Sequence, residues 1–364
     1  MTERRPVLVV VGTRPEAIKM APVYRALSAA DRLRPVLVST GQHTDLLRTA
    51  LASFDLRPDH ELAVMTAGQS LSGAASRILD RFGRLLSELA PAAVLVQGDT
   101  TTAFAAGLAA YYAEVPVGHV EAGLRTHDHR HPFPEEGNRQ MVDRISRWYF
   151  APTPASRDNL LAERIDPARV IVTGNTGVDA LLWAVERAGP PPAGDPYVLV
   201  TLHRRESFGE PLGDILGGLL DFLAANPSAR AAWPVHPNPE VGKVADAVLG
   251  GHPRVDRIPP QEYLAFARLM AGSRVILSDS GGVQEEAPSL GVRVLVAREV
   301  TERPEAVTAG LNRLVGRSRR RVADELSRAW AEPPYAGPRP AANPYGDGTA
   351  SRAVASILIA DLGS

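Results

Sequence analysis

The stretch RVILSDSGGVQEEAPSLG, Arg274 to Gly291, decides the fold. An apolar, β-favouring run ends at Ser278. After Gly281 and Gly282 the segment VQEEAPSL predicts a short helix broken at Pro288. A strand that turns through Ser280 and two glycines into a helix presents unpaired N–H groups and the positive end of a helix dipole at one point, which suits phosphate. Glu285 and Glu286 fall about one turn further in, placed to accept hydroxyl hydrogen bonds. The stretch reads as a diphosphate and sugar cradle; the alternative is a glycine turn with surface acids. A protease reading of DSGG fails, because that motif belongs to β-barrel enzymes and the neighbours here alternate strand and helix.

That alternation extends in both directions. VLVVV (Val7 to Val11) precedes a helix after Pro15, and VLVST from Val36 precedes HTDLLRTALASF. AVLVQ from Ala93 follows the helical run Leu71 to Leu89, and PVGHV from Pro116 follows TTAFAAGLAAYYAEV. WYF at Trp148 and VIVTGN at Val170 continue the series until GPPPAGDP, Gly189 to Pro196, interrupts it. It restarts with YVLVTL at Tyr197, and further strands are expected at Ala232 to Val235, Val255 to Ile258, Val275 to Ser278 and Val292 to Val296. Strand and helix at this spacing predict an α/β protein of two doubly wound, Rossmann-like domains, residues 1–175 and 176–348, facing a central cleft. The final helical run, 349–362, is expected to pack back on the first domain. In such sheets ligands sit beyond the carboxyl ends of the strands.

Composition narrows the function classes. With 364 residues, 45% of them hydrophobic, and a formal net charge of −1, the chain has material for two cores and no excess charge for a polyanion, so nucleic acid is not an expected partner. The absence of cysteine excludes disulfides and thiolate metal sites and fits a reducing, cytoplasmic setting. Val7 to Val11 is too short for a leader core or a membrane span, so no membrane association is expected.

Chemistry-bearing residues gather at the strand ends. GTRPEAIK, Gly12 to Lys19, lacks the GxGxxG spacing of a dinucleotide site, but Arg14 and Lys19 flank a helix start where they can meet phosphate. QGDTTT, Gln97 to Thr102, and HVEAGLRT, His119 to Thr126, close consecutive strands. If those strands pair, their tips stand about 5 Å apart and Asp99 and Glu121 share one rim. Carboxylates forced together split their pKa values, which yields an acid and a base near neutrality. Glu135 and Glu136 open a helix behind Pro134. Helix capping is the alternative role for Asp99 and Glu135. HDHRH, His127 to His131, lacks the spacing that converges ligands on a metal and reads as a solvated loop. His203, at the end of the first strand of the second domain, is expected to face the carboxylates, with Arg204, Arg205 and Glu206 beside it; a structural histidine is the alternative. His236 in VHPNPE repeats the arrangement. Gln261, Tyr263 and Phe266 offer an amide and an aromatic face for a base, and Arg303 and Glu305 in TERPEA could meet ribose or phosphate, although ordinary helix surface explains each as well.

Taken together, GTRPEAIKMAP, GDTTT, GHVEAGLRT, PFPEE, VTGN, HRRESFG, PVHPNP, PQEYL, DSGGVQEEAPSLG, TERPEAVTAG and NPYGDG resemble, in order and spacing, the non-hydrolysing UDP-N-acetylglucosamine 2-epimerases, over nearly the whole chain from Gly12 to Gly348. The resemblance implies a glycosyltransferase-B-like fold and interconversion of UDP-GlcNAc and UDP-ManNAc without added cofactor or metal, commonly by a homodimer. It puts Arg14, Lys19, His203, Gln261, Phe266, Ser280, Gly281, Gly282, Glu286 and Arg303 on UDP. It makes Asp99, Glu121 and Glu135, with His203, the catalytic set. Departures are Gln97, where the family often has His, and the unusually basic HDHRH loop. Some bacterial relatives bind a second UDP-GlcNAc as activator. Gln42, His43 and His236 resemble part of that site, but Thr44, Asp45 and Gly68 do not, so activation by substrate is expected to be weak or absent. Rival readings are a hydrolysing epimerase releasing ManNAc and UDP, an epimerase of a modified UDP-GlcNAc, a glycosyltransferase of the same fold class, and a sugar-nucleotide-binding regulator with a dead site.

Overall fold

A computed structural model describes residues 4–30, 32–41, 44–66, 68–191, 194–204, 207–333 and 343–363. The chain divides into two compact units, Met1–Ala180 with Gly346–Ser364, and Leu181–Tyr345. The first passage between them falls inside a helix, Thr176–Ala188, ahead of the Pro/Gly-rich stretch.

The first unit holds seven parallel strands: β1 (Arg5–Val11), β2 (Leu33–Ser39), β3 (His60–Glu61), β4 (Ala93–Gln97), β5 (Val117–Val120), β6 (Trp148–Ala151) and β7 (Val170–Val172), in spatial order 3-2-1-4-5-6-7. All of Val7 to Val11 are buried, as expected of a strand covered by helices on both faces, which therefore reads as a continuous apolar run. The helices are α1 (Arg14–Ser28), α2 (Thr44–Ser53), α3 (Leu71–Leu89), α4 (Thr101–Tyr112), α5 (Glu135–Ile145), α6 (Pro154–Ala162) and α7 (Thr176–Ala188). Helix α3 shows how sequence sets packing. Ser70 caps it by accepting from Gly73 N–H at 3.1 Å, and Ala74, Ile78, Phe82, Leu85 and Leu86 recur at helical spacing on its buried face. Ile78, Phe82, Leu85 and Leu86 join Val10, Val38 and Val94 in one core, where removing Phe82 to Ala would cost about 3–5 kcal/mol.

The second unit holds six parallel strands: β8 (Tyr197–Thr201), β9 (Arg230–Pro234), β10 (Val255–Ile258), β11 (Val275–Ser278), β12 (Arg293–Val296) and β13 (Asn312–Leu314). Their order, 10-9-8-11-12-13, repeats the order of the first six strands of the other unit. Connecting helices are α8 (Glu210–Ala225), α9 (Pro239–Leu249), α10 (Tyr263–Gly272), α11 (Gly281–Glu286), α12 (Pro304–Thr308) and α13 (Arg319–Ala331). The core is built around Trp233, Phe222 and Leu219, with Trp330 meeting Phe222 edge-on at 5.5 Å.

The last helix, α14 (Ala350–Leu362), belongs to the first unit and packs against α1. Its own N-cap residue makes no capping bond. Asp179 of α7 serves instead, its Oδ1 accepting from Ser351 N–H at 2.8 Å, while Trp148 Nε1 donates to Asp361 at 2.6 Å near the other end. Strand order reverses direction at β1/β4 in one sheet and at β8/β11 in the other, and the crevice at such a reversal is where open parallel sheets bind ligands.

Candidate functional site

In the first unit the residues after β1, β4 and β5 converge. Glu16, fully buried in the first turn of α1, reaches back to accept from Gly12 N–H (3.0 Å), Thr13 N–H (2.7 Å) and the Thr13 hydroxyl (2.7 Å), and its other oxygen accepts from Thr100 Oγ1 at 2.6 Å. Burial pushes its carboxyl above the ordinary range, a shift that the four bonds oppose. Only glycine fits at position 12: a Cβ there would lie 2.0 Å from Thr102 Oγ1.

Asp99 and Glu121 follow strands that pair directly, with Gln97 opposite Val120. Each acid is met by a cation. Asp99 Oδ2 accepts from Arg139 Nε at 3.1 Å and from the same guanidinium's Nη2. Glu121 Oε2 accepts from Lys19 Nζ at 2.6 Å and from Gln97 Nε2. Lys19, expected beside Arg14 as a phosphate ligand, is thus the buried counter-ion of Glu121. Asp99 does not cap α4; Thr100 does, accepting from Ala103 N–H at 3.0 Å. Glu121 has φ +68°, a left-handed conformation that costs a glutamate about 1–3 kcal/mol and clusters at functional sites.

Glu135 and Glu136 open α5 behind Pro134, and the loop before them contains cis bonds at His131–Pro132 and Phe133–Pro134. The two acids differ. Glu135 Oε2 is buried with no hydrogen-bond partner among the described residues. Glu136 accepts from Thr126 N–H, His127 N–H, Gln140 and Arg139; burial opposes its ionisation, yet these bonds hold its carboxyl below the usual range. Arg139 therefore bridges Glu136 and Asp99.

In the second unit the reversal point carries His203 and the 278–286 stretch. Asp279, fully buried, collects the backbone N–H groups of His203 (3.1 Å) and Arg204 (3.0 Å) and lies 3.4 Å from His203 Nδ1. The expected histidine at that strand end is accordingly held by a residue inside the cradle motif. The protein packed around His203 lowers its pKa below the ordinary value even though the side chain is 43% exposed, aided by Arg204 and His236 and opposed by Asp279. His236 stacks on it at 6.1 Å between centroids. Gln42, His43, Arg205 and Glu206 lie outside the described residues.

Helix α11 starts at Gly281, and Pro288 lies in the 3-10 turn Ala287–Leu290 that follows it. Ser280, its N-cap, makes no side-chain capping bond; its own N–H donates to Ser278 Oγ at 3.0 Å. Gly281 is pressed against Arg303, whose Cζ would lie 2.9 Å from a Cβ at that position. Arg303 donates to Glu285 (2.6 Å) and to Glu302 (2.9 Å). Glu285, read as a hydroxyl acceptor, is thus the partner of that arginine, whereas Glu286 meets Tyr263 Oη at 3.4 Å. Gln261 precedes α10 and donates to Pro259 O at 2.6 Å; Phe266 lies within α10, half-buried. The sequence reading gave no role to Glu16, Arg139 or Asp279. The available signals were the helix-start spacing of Thr13 and Glu16, the i, i+3 spacing of Glu136 and Arg139, and an acid at the turn that ends β11.

Two sheets in Rossmann order, one with ion-paired carboxylates at its reversal point and one with a glycine turn into a helix, define an α/β protein of the glycosyltransferase-B-like class. The fold alone is shared with the glycosyltransferase of kitacinnamycin, at TM-score 0.68 and 13% identity over 99% of this chain and all of that one. The chain belongs to the UDP-N-acetylglucosamine 2-epimerase family, whose model matches residues 25–359. It is 46% identical to the UDP-N-acetylglucosamine 2-epimerase of Escherichia coli K12 over 97% of this chain and 98% of that one. The crystal structure of the Neisseria meningitidis UDP-GlcNAc 2-epimerase bound to UDP-GlcNAc superposes at TM-score 0.88 with 41% identity, over 98% of this chain and all of that one.

Proposed function

We propose that the chain is a non-hydrolysing epimerase interconverting UDP-GlcNAc and UDP-ManNAc. The observation that carries this reading is the pair of ion-paired carboxylates, Asp99 with Arg139 and Glu121 with Lys19, at adjacent strand ends. The C2 hydrogen of the sugar is not next to a carbonyl. It becomes acidic only as UDP leaves C1 and positive charge develops there. Elimination gives UDP and 2-acetamidoglucal; C2 is reprotonated on its other face, and UDP returns to C1. Two positioned proton carriers and a retained leaving group are required. Asp99, Glu121 and Glu135 carry protons, and the unpartnered Glu135 oxygen supports its place among them. The family resemblance adds His203, held by Asp279 in the second unit, as a further catalytic residue.

Ser280, Gly281, Gly282 and Arg303 hold the diphosphate, and Gln261, Phe266 and Glu286 hold the nucleoside. The contrast between units favours that assignment. In the first unit the nest at the start of α1 is filled by Glu16, so phosphate goes to the second. No described helix is long and apolar enough to cross a membrane, and the chain is read as a cytoplasmic homodimer, which light scattering checks. The test of function is NMR of UDP-GlcNAc with the protein in D2O. UDP-ManNAc carrying deuterium at C2 is the expected product; free ManNAc would mark a hydrolysing enzyme, and no C2 exchange would sink the reading.

A further inference from the structure

His119 has no part in the mechanism above, yet it is fully buried beside it. Its ring lies in β5, two residues before Glu121, and spans to the turn that carries Asp99. Nε2 is 2.8 Å from the carbonyl oxygen of Gly98. A carbonyl only accepts, so this nitrogen carries a proton and donates. Nδ1 is 2.7 Å from Asp143 Oδ1. Asp143 Oδ2 in turn accepts from Arg125 at 2.7 Å, and Arg125 is clamped by Glu163 at 2.6 and 3.0 Å. Burial works against ionisation of Asp143, but His119 and Arg125 hold its carboxyl below the ordinary range.

We infer that His119 is a positioning residue for Asp99, acting through the Gly98 peptide. Gly98 adopts φ +66° and is gripped on both sides: its N–H donates to Val120 O at 3.0 Å and its carbonyl accepts from His119 Nε2. The next carbonyl, that of Asp99, accepts from Asn138 at 2.9 Å. The ring thereby ties the turn bearing one carboxylate to the strand bearing the other and fixes their separation. Asp143, Arg125 and Glu163 fix the ring. A misplacement of about 1 Å at a reacting group can cost on the order of a hundredfold in rate, so such a tie affects turnover without touching substrate.

The inference rests on Asp99 being a proton carrier, and two substitutions test it. In His119→Gln the amide nitrogen falls near the old Nε2 and can still donate to Gly98. In His119→Asn it falls near the old Nδ1, keeps Asp143 and loses Gly98. His119→Asn should lower kcat by at least about tenfold, with KM within about threefold, and His119→Gln should recover most of that loss. His119→Phe, of similar bulk and with no donor, replaces the Asn variant if that chain does not fold. Wild-type kcat in the Asn variant, or equal losses in Asn and Gln variants that track a common fall in Tm, would overturn the inference. A wild-type chain that exchanges no deuterium at C2 would instead overturn the proposed function.

Discussion

Lys19 Nζ lies 2.6 Å from Glu121 Oε2, and both side chains are buried. An ion pair removed from water is costly to break from one side, because the survivor keeps its desolvation penalty. Lys19→Met should therefore destabilise the first unit by about 3–5 kcal/mol in urea unfolding, and Lys19→Met with Glu121→Leu should recover much of that loss without recovering turnover. A Lys19→Met chain as stable as wild type would show that the pair is not held as described.

Asp99 is partly exposed and caps no helix, and its partner Arg139 keeps Glu136 as a second counter-ion, so the Asp99 carboxylate can be changed with little effect on the fold. In Asp99→Asn the amide oxygen still accepts from Arg139. Turnover of UDP-GlcNAc should fall at least about a hundredfold, as expected for a lost proton carrier, while Tm moves by only a few degrees. Near-normal turnover would remove Asp99 from the mechanism.

His203 gives a pH dependence whose sign follows from its surroundings. Partial desolvation of a side chain that stays 43% exposed, with Arg204 and His236, holds it below the ordinary value of 6.5, against the pull of Asp279. Between the folded and unfolded pKa values the unfolded chain binds more protons, so this contribution to stability is complete above about 6.5 and is lost as pH falls toward the folded pKa. Removing the Asp279 charge in Asp279→Asn should lower the pKa further and extend the window to more acid pH. NMR titration of the ring reads this directly, and a midpoint at or above 6.5 in wild type would contradict it.

The strand and helix pattern was legible because buried parallel strands leave continuous apolar runs. VLVVV and AVLVQ announced β1 and β4, and Val255 to Ile258 and Val275 to Ser278 match β10 and β11. Strands β3 and β13 were not, since two and three residues reading HE and NRL carry neither a run nor an alternation. The pairing of β4 with β5 followed from chain order. What sequence could not give was the cation opposite each carboxylate: Arg139 is 40 positions from Asp99, and Lys19 is 102 from Glu121. Asp279 stands inside the DSGG motif, but its role depends on the pairing of β8 with β11, which brings it to the backbone N–H of His203.

Substrate activation is a separate matter. His236 stacks on His203, but Thr44, Asp45 and Gly68 lack the groups expected of a second nucleotide site. Initial rates against UDP-GlcNAc should be hyperbolic, and sigmoidal curves would mean that a second site exists.

Glu16 offers a sharper test of why phosphate is assigned to the second unit. Its carboxylate accepts from two backbone N–H groups and two hydroxyls at a helix start, the donor set that a phosphate would otherwise engage. Glu16→Gln keeps an oxygen for the N–H groups and should be tolerated. Glu16→Ala strands the Gly12 and Thr13 N–H groups, while the two hydroxyls can turn elsewhere, and should cost roughly 2–6 kcal/mol, given about 1–3 kcal/mol for each buried polar group left unsatisfied. Because the vacated nest is shaped for an anion, inorganic phosphate at millimolar concentration should raise the Tm of Glu16→Ala more than that of wild type. An equal shift in both would show that the first unit has no masked anion site, and the contrast used to place the diphosphate would fail.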